Sequence, residues 1–149
     1  MKLKAVKANT KLTLLRQYQI VKIIEMTFEW CYDQFGRKKY CPNVDVYLIN
    51  DLDSDYKKTH PNPEDQFLGW YKSSRHNPKI VIVRKNIKNV LLLVDTIIHE
   101  YTHHLQINQK LYFSFSKQYN YFDNPFEADA IYTAEKHRMR CVNDILKNV

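Results

Sequence analysis

Between positions 90 and 104 the chain runs from a strongly apolar segment straight into a cluster of ionisable residues. Val90-Leu91-Leu92-Leu93-Val94 is the longest apolar run, and after Asp95-Thr96-Ile97-Ile98 comes His99-Glu100-Tyr101-Thr102-His103. A segment this apolar is expected to pack inside, and its length and pattern read as a long buried helix over residues 87–109. Burial takes two imidazoles and a carboxylate out of water with it, and such groups need partners. At 100° per residue, positions 99 and 103 share one face, one turn apart. Both imidazoles can then reach one ion from adjacent turns, while Glu100 stands beside that face. Zinc suits this donor set: it accepts imidazole nitrogen at about 2.0–2.1 Å, and a catalytic zinc keeps three protein ligands and one open position. Glu100 is expected to remain outside the ligand set and to act as general base on a water molecule.

A third ligand has to come from another element. Asn124-Pro125-Phe126-Glu127-Ala128-Asp129 opens a helix, with Asn at the cap and Pro in the first turn. Glu127 is the preferred ligand, although Asn124 and Glu127 also fit a capping box. Asp129 is the rival, and it points about 200° away from Glu127 around the helix axis. Only one of the two can face the ion.

The rest of the chain reads as a single α+β domain spanning residues 1–149, with residues 1–11 flexible. Apolar positions recur at helical spacing over residues 12–35, and Gly36 is a natural stop. Alternation after Pro42-Asn43 predicts a strand over 44–49. Residues 50–66, which are polar and hold Pro61 and Pro63, read as a loop. Strands follow at 67–72 and 79–84, joined by a hairpin connector over 73–78. Residues 111–123 are rich in aromatics without a clear period, and a last helix runs from 125 to about 147.

Composition narrows the class further. A hydrophobic share of 44% with eleven Tyr excludes a mostly disordered chain. Three cysteines, Cys31, Cys41 and Cys141, make a poor disulfide framework. With no spanning segment and no signal-peptide core, the expectation is a cytoplasmic protein, monomeric and away from membranes. The net charge of +7 comes from scattered lysines and arginines, which allows weak association with nucleic acid and otherwise means a solvated surface. Asp51-Leu52-Asp53-Ser54-Asp55 resembles the start of a calcium loop. Tyr56 and Asn62 stand where an EF-hand needs Gly and Glu, so a solvated turn is the better reading.

His99-Glu100-x-x-His103 followed by a glutamate-bearing helix resembles the gluzincin metallopeptidases, of which thermolysin is a distant relative. The short length, Gly69-Trp70-Tyr71 before Ile80-Val81-Ile82, and Asn124-Pro125-x-Glu127 most resemble the compact minigluzincin type. The resemblance covers residues 67–135. It implies a zincin-like fold: a small mixed or antiparallel sheet packed on the long active-site helix, with the glutamate on a C-terminal helix. It also implies Zn2+ held by His99, His103 and Glu127, and hydrolysis of a peptide or protein substrate in a cleft above that helix. One position departs from the pattern. Thermolysin-like enzymes place an Asp four residues after the glutamate ligand to orient a zinc-bound histidine, and here Ile131 stands there. Asp95, Asn124 or a backbone carbonyl is expected to substitute.

Such enzymes also use a Tyr or His side chain to stabilise the oxyanion. Tyr121, and beside it Tyr119, are the candidates. His137 lies too far along its helix, and His104 points about 100° off the ligand face, which suits a supporting or surface position. The resemblance also gives residues 67–71 the role of holding an extended peptide by strand addition, with Phe113, Phe115, Tyr119 and Tyr121 lining side-chain pockets. Two other readings compete. A non-catalytic zinc-containing binding module has no need of Glu100. A DNA-directed protease recruited by the basic surface would resemble SprT-like enzymes, but these use a third histidine, and none occurs between His104 and His137.

Overall fold

The computed structural model describes residues 6–39, 41–106 and 109–147. It is an α+β structure. The helices are α1 (Gln17–Phe35), α2 (Ser54–Thr59), α3 (Val90–Leu105), α4 (Gln109–Gln118) and α5 (Pro125–Lys147), and the strands are β1 (Asp45–Ile49), β2 (Gly69–Lys72) and β3 (Lys79–Val83). The strands form a mixed sheet in the order β1-β3-β2, with β1 parallel and β2 antiparallel to β3.

β3 is central because it alone is apolar on both faces. Ile80, Ile82 and Val83 have no exposed surface, as expected for a strand covered on both sides. α3 packs on β2 and β3, and also against α1 and α5. Its residues Leu93, Val94, Ile97, Ile98 and Tyr101 are fully buried and form the middle of the core with Ile20, Ile23, Phe28 and Val142. At the edge of the sheet, Gly69 lets β2 approach α3 closely. A Cβ at this position would lie 2.6 Å from the Val81 carbonyl oxygen and 3.1 Å from Thr96 Cγ2.

α3 is shorter at both ends than its apolar pattern predicts. Asn89 caps it, its side-chain oxygen accepting from the Leu92 N–H at 2.9 Å, and this cap sets the start at Val90. The backbone turns extended at Gln106 (ψ 130°), which ends the helix, and Gln109 already belongs to α4. Residues 6–11 lie against this N-terminus. The Thr10 and Ala8 carbonyls accept from the Val90 and Leu91 N–H groups at 3.1 and 2.8 Å, two donors that a helix cannot satisfy internally. Of residues 1–11, expected to be flexible, 6–11 include these two bonds to α3, and residues 1–5 lie outside the described residues.

Other boundaries move for local reasons. Leu12 and Leu15 are buried as their spacing suggests, but Leu12 sits in a 3-10 turn, and extended backbone at Leu15 and Arg16 delays α1 to Gln17. The segment at 50–66 is not all loop. Asp53 caps α2, accepting from the Asp55 N–H at 2.8 Å. Asp51 meets Lys57 at 2.9 Å and Lys85 at 3.5 Å, and the hydrogen bond from Lys57 helps hold its carboxyl below the ordinary value. These acidic residues serve a cap and an ion pair. The first half of the aromatic segment at 111–123 is helical, as α4. Among the described residues no helix is long and apolar enough to cross a membrane.

Candidate metal centre

His99 and His103 project from one face of α3, and Glu127 projects from the first turn of α5. The three side chains converge, with ligand atoms all within 4.8 Å of one another. Glu127 Oε2 lies 3.0 Å from His99 Nε2, Glu127 Oε1 lies 3.1 Å from His103 Nε2, and the two Nε2 atoms are 3.2 Å apart. Ligands arranged tetrahedrally about a zinc at 2.0–2.1 Å stand about 3.3 Å from each other. The observed spacings are close to that value, so the donor set fits a small divalent cation. Two imidazole nitrogens facing each other at this range also need a proton or a cation between them, since their lone pairs repel.

The site is largely shielded. The His99 and His103 side chains are 12% and 9% exposed and that of Glu127 is 5% exposed. Burial alone would raise the Glu127 carboxyl, but hydrogen bonds from His103 and His99, with the His103 charge, hold it far below the carboxylate range. The positive end of α5 favours the same ionised form. His103 is lowered by burial and raised more strongly by its bond to Glu127, for a net upward shift.

Glu100 stands 4.0 Å from His99 Nε2 through Oε1 and does not belong to the converging set. Its carboxyl is pushed up by burial, against the neighbouring histidines, which lower it. Two cavities of about 540 and 510 Å³ flank the centre. Phe67, Gly69, Glu100 and Tyr121 line both, so the two form one cleft passing along β2, with Glu100 at its middle. Among the described residues β2 pairs with β3 alone.

The rival positions separate clearly. Asp129 is not in the ligand cluster; it accepts a hydrogen bond from Gln106 Nε2 at 3.1 Å. The cap of α5 falls to Asn124, whose Oδ1 accepts from the Phe126 N–H at 3.0 Å, and this leaves Glu127 to the histidines. Asp95 pairs with Arg138 at 3.2 Å, so neither Asp95 nor Asn124 is seen orienting a histidine. Tyr121 brings its hydroxyl to 3.4 Å from His99 Nε2, whereas Tyr119 packs its ring on Phe115 and lines neither cavity. His137 sits among Trp30 and Phe35. His104 is no surface residue: it is fully buried, and its Nδ1 meets the Tyr71 hydroxyl at 3.0 Å. Burial, helped by the charge of Lys38, lowers its pKa to about 4.

Two residues of the centre carry no motif. Tyr112 donates from its hydroxyl to Glu127 Oε1 at 2.6 Å. Gln106 Oε1 meets His103 Nδ1 at 2.8 Å. Spacing offers a signal for Gln106, which lies one turn beyond His103. Tyr112 offers none, because it sits in the segment without a period. No protein-family model matches the chain, and neither a curated protein nor a solved structure matches it.

Proposed function

We propose that this chain is a zinc-dependent peptidase of gluzincin type, hydrolysing peptide bonds with Glu100 as general base. The observation that carries this reading is the convergence of His99, His103 and Glu127 in a cleft whose middle is lined by Glu100. Two imidazoles and one carboxylate are a donor set typical of hydrolytic zinc, which in this place would supply Lewis acidity toward water and toward a carbonyl oxygen.

The chain's own residues do the remaining work. An extended peptide lies along the free edge of β2, held by main-chain hydrogen bonds, with its side chains in the cavities on either side. Glu100 accepts a proton from the attacking water as the water oxygen bonds to the carbonyl carbon. It then delivers that proton to the amine nitrogen as the C–N bond breaks. The Tyr121 hydroxyl donates a hydrogen bond to the oxygen on which charge develops.

The test joins metal analysis to a digest of a mixed peptide library. Wild type should hold about one zinc per chain and cleave. His99→Ala and His103→Ala should lose the zinc, and Glu100→Gln should keep it while losing nearly all cleavage. Full zinc in both histidine variants, or cleavage by Glu100→Gln at the wild-type rate, overturns the reading.

A further inference from the structure

Gln106 touches both helices that carry the candidate ligands. Its backbone N–H still belongs to α3, donating to the Thr102 and His103 carbonyls at 3.1 and 3.2 Å. Its side chain reaches across to α5. There Nε2 donates to the Phe126 carbonyl at 2.9 Å and to Asp129 Oδ2 at 3.1 Å, the residues on either side of the Glu127–Ala128 pair. Both of these partners are acceptors, so the amide nitrogen has to face them. The amide oxygen is thereby turned to His103 Nδ1, at 2.8 Å. An oxygen there can only accept, so Nδ1 carries a proton. The lone pair of neutral His103 is then on Nε2, the atom that faces Glu127 and His99.

The geometry points to Gln106 as the positioning residue of the metal centre: it sets the tautomer and ring orientation of His103 and, through Phe126 and Asp129, fixes the ligand turn of α5 against the end of α3. This rests on the metal reading above. It gives Ile131's missing carboxylate a replacement of different chemistry, arriving from the helix of the histidines and not from that of the glutamate. It also gives Asp129 a role. Asp129 does not touch the ligands, but it holds the amide in the one orientation that accepts from His103. An outer partner of a ligating histidine commonly contributes about 10–100-fold in metal affinity.

Gln106→Met keeps the length and bulk of the side chain and removes its three hydrogen bonds. Zinc affinity, measured by chelator competition, should fall about 10–100-fold. Asp129→Ala should lose less than Gln106→Met, because the Phe126 carbonyl still accepts from the amide nitrogen. A second readout needs no zinc. In the metal-free protein, NMR of 15N-labelled imidazoles should show a slowly exchanging proton on His103 Nδ1, and Gln106→Met should speed its exchange. Gln106→Met that folds and binds zinc with wild-type affinity overturns the inference. If Gln106→Met does not fold, the wild-type imidazole spectrum decides, because an unprotonated His103 Nδ1 also overturns it. A wild type without zinc affinity would sink the proposed function, while the imidazole readout would still judge the role of Gln106.

Discussion

Replacing Gly69 by alanine would set a methyl carbon 2.6 Å from the Val81 carbonyl oxygen and 3.1 Å from Thr96 Cγ2. The first neighbour is backbone of the central strand and cannot turn aside as a side chain could. β2 has to move away from β3 and α3 instead. Gly69 has no positive φ, so the cost comes from this close approach alone. Overpacking of this kind costs about 1–3 kcal/mol. Alanine recovers about 0.4–1 kcal/mol by restricting the unfolded chain. The net loss is about 1–2 kcal/mol, a Tm decrease on the order of 5 °C for a domain of this size. Gly69 also lines both cavities of the cleft, so the variant should weaken peptide binding and leave zinc content unchanged. Thermal unfolding followed by circular dichroism, with zinc analysis of the same samples, is the assay. An unchanged Tm would refute the close-approach account, and loss of zinc would show that β2 supports the ligands as well as the substrate.

Two further outcomes follow from the side chains around the centre. Tyr121→Phe should keep the zinc and lower kcat for peptide hydrolysis more than it changes KM, since the hydroxyl is used as charge develops; equal kcat values would remove Tyr121 from the mechanism. His104 has a folded pKa lowered to about 4, against an ordinary value of about 6.5. Its neutral form is the one that folding favours, so its contribution is complete above the ordinary pKa and is lost as pH falls from about 6.5 toward about 4. Urea unfolding should show about 2 kcal/mol less stability at pH 5 than at pH 7.5 from this group alone, and His104→Gln should flatten that part of the profile.

Legibility in the sequence followed the range over which each signal acts. The pairing of His99 with His103 depends on one helical turn, and the burial of α3 on a run of apolar residues, so both could be read directly. Glu127 was legible through Asn124-Pro125, a local start signal that fixed the phase of α5. α4 was hidden because its apolar residues lie on both faces: Leu111 and Phe113 are exposed while Tyr112 and Phe115 are half-buried, and no single stripe emerges. The ends of α3 depended on Asn89 as a cap and on the turn at Gln106, where helical periodicity is silent. The burial of His104 depended on how Tyr71 of β2 and the backbone at Cys41 close over it. That is a tertiary fact with no trace in the spacing of histidines.

Tyr101 gives the unlettered positions of His99-Glu100-x-x-His103 a mechanical meaning. It lies about 200° around the helix from His99 and about 160° from His103, and its ring is wedged edge-on between Phe28 and Tyr32. Its hydroxyl donates to the Gly36 carbonyl at 2.5 Å, and Gly36 holds φ 81°, a conformation that residues with a Cβ adopt at a cost. A helix can misplace everything on its front face simply by rolling about its own axis. At a radius of about 6 Å a roll of 10° carries a ligand atom about 1 Å, enough to spoil a coordination geometry. Tyr101 acts as a key in the back of the shaft, with α1 as its housing, and it resists that torque from the side opposite the cleft.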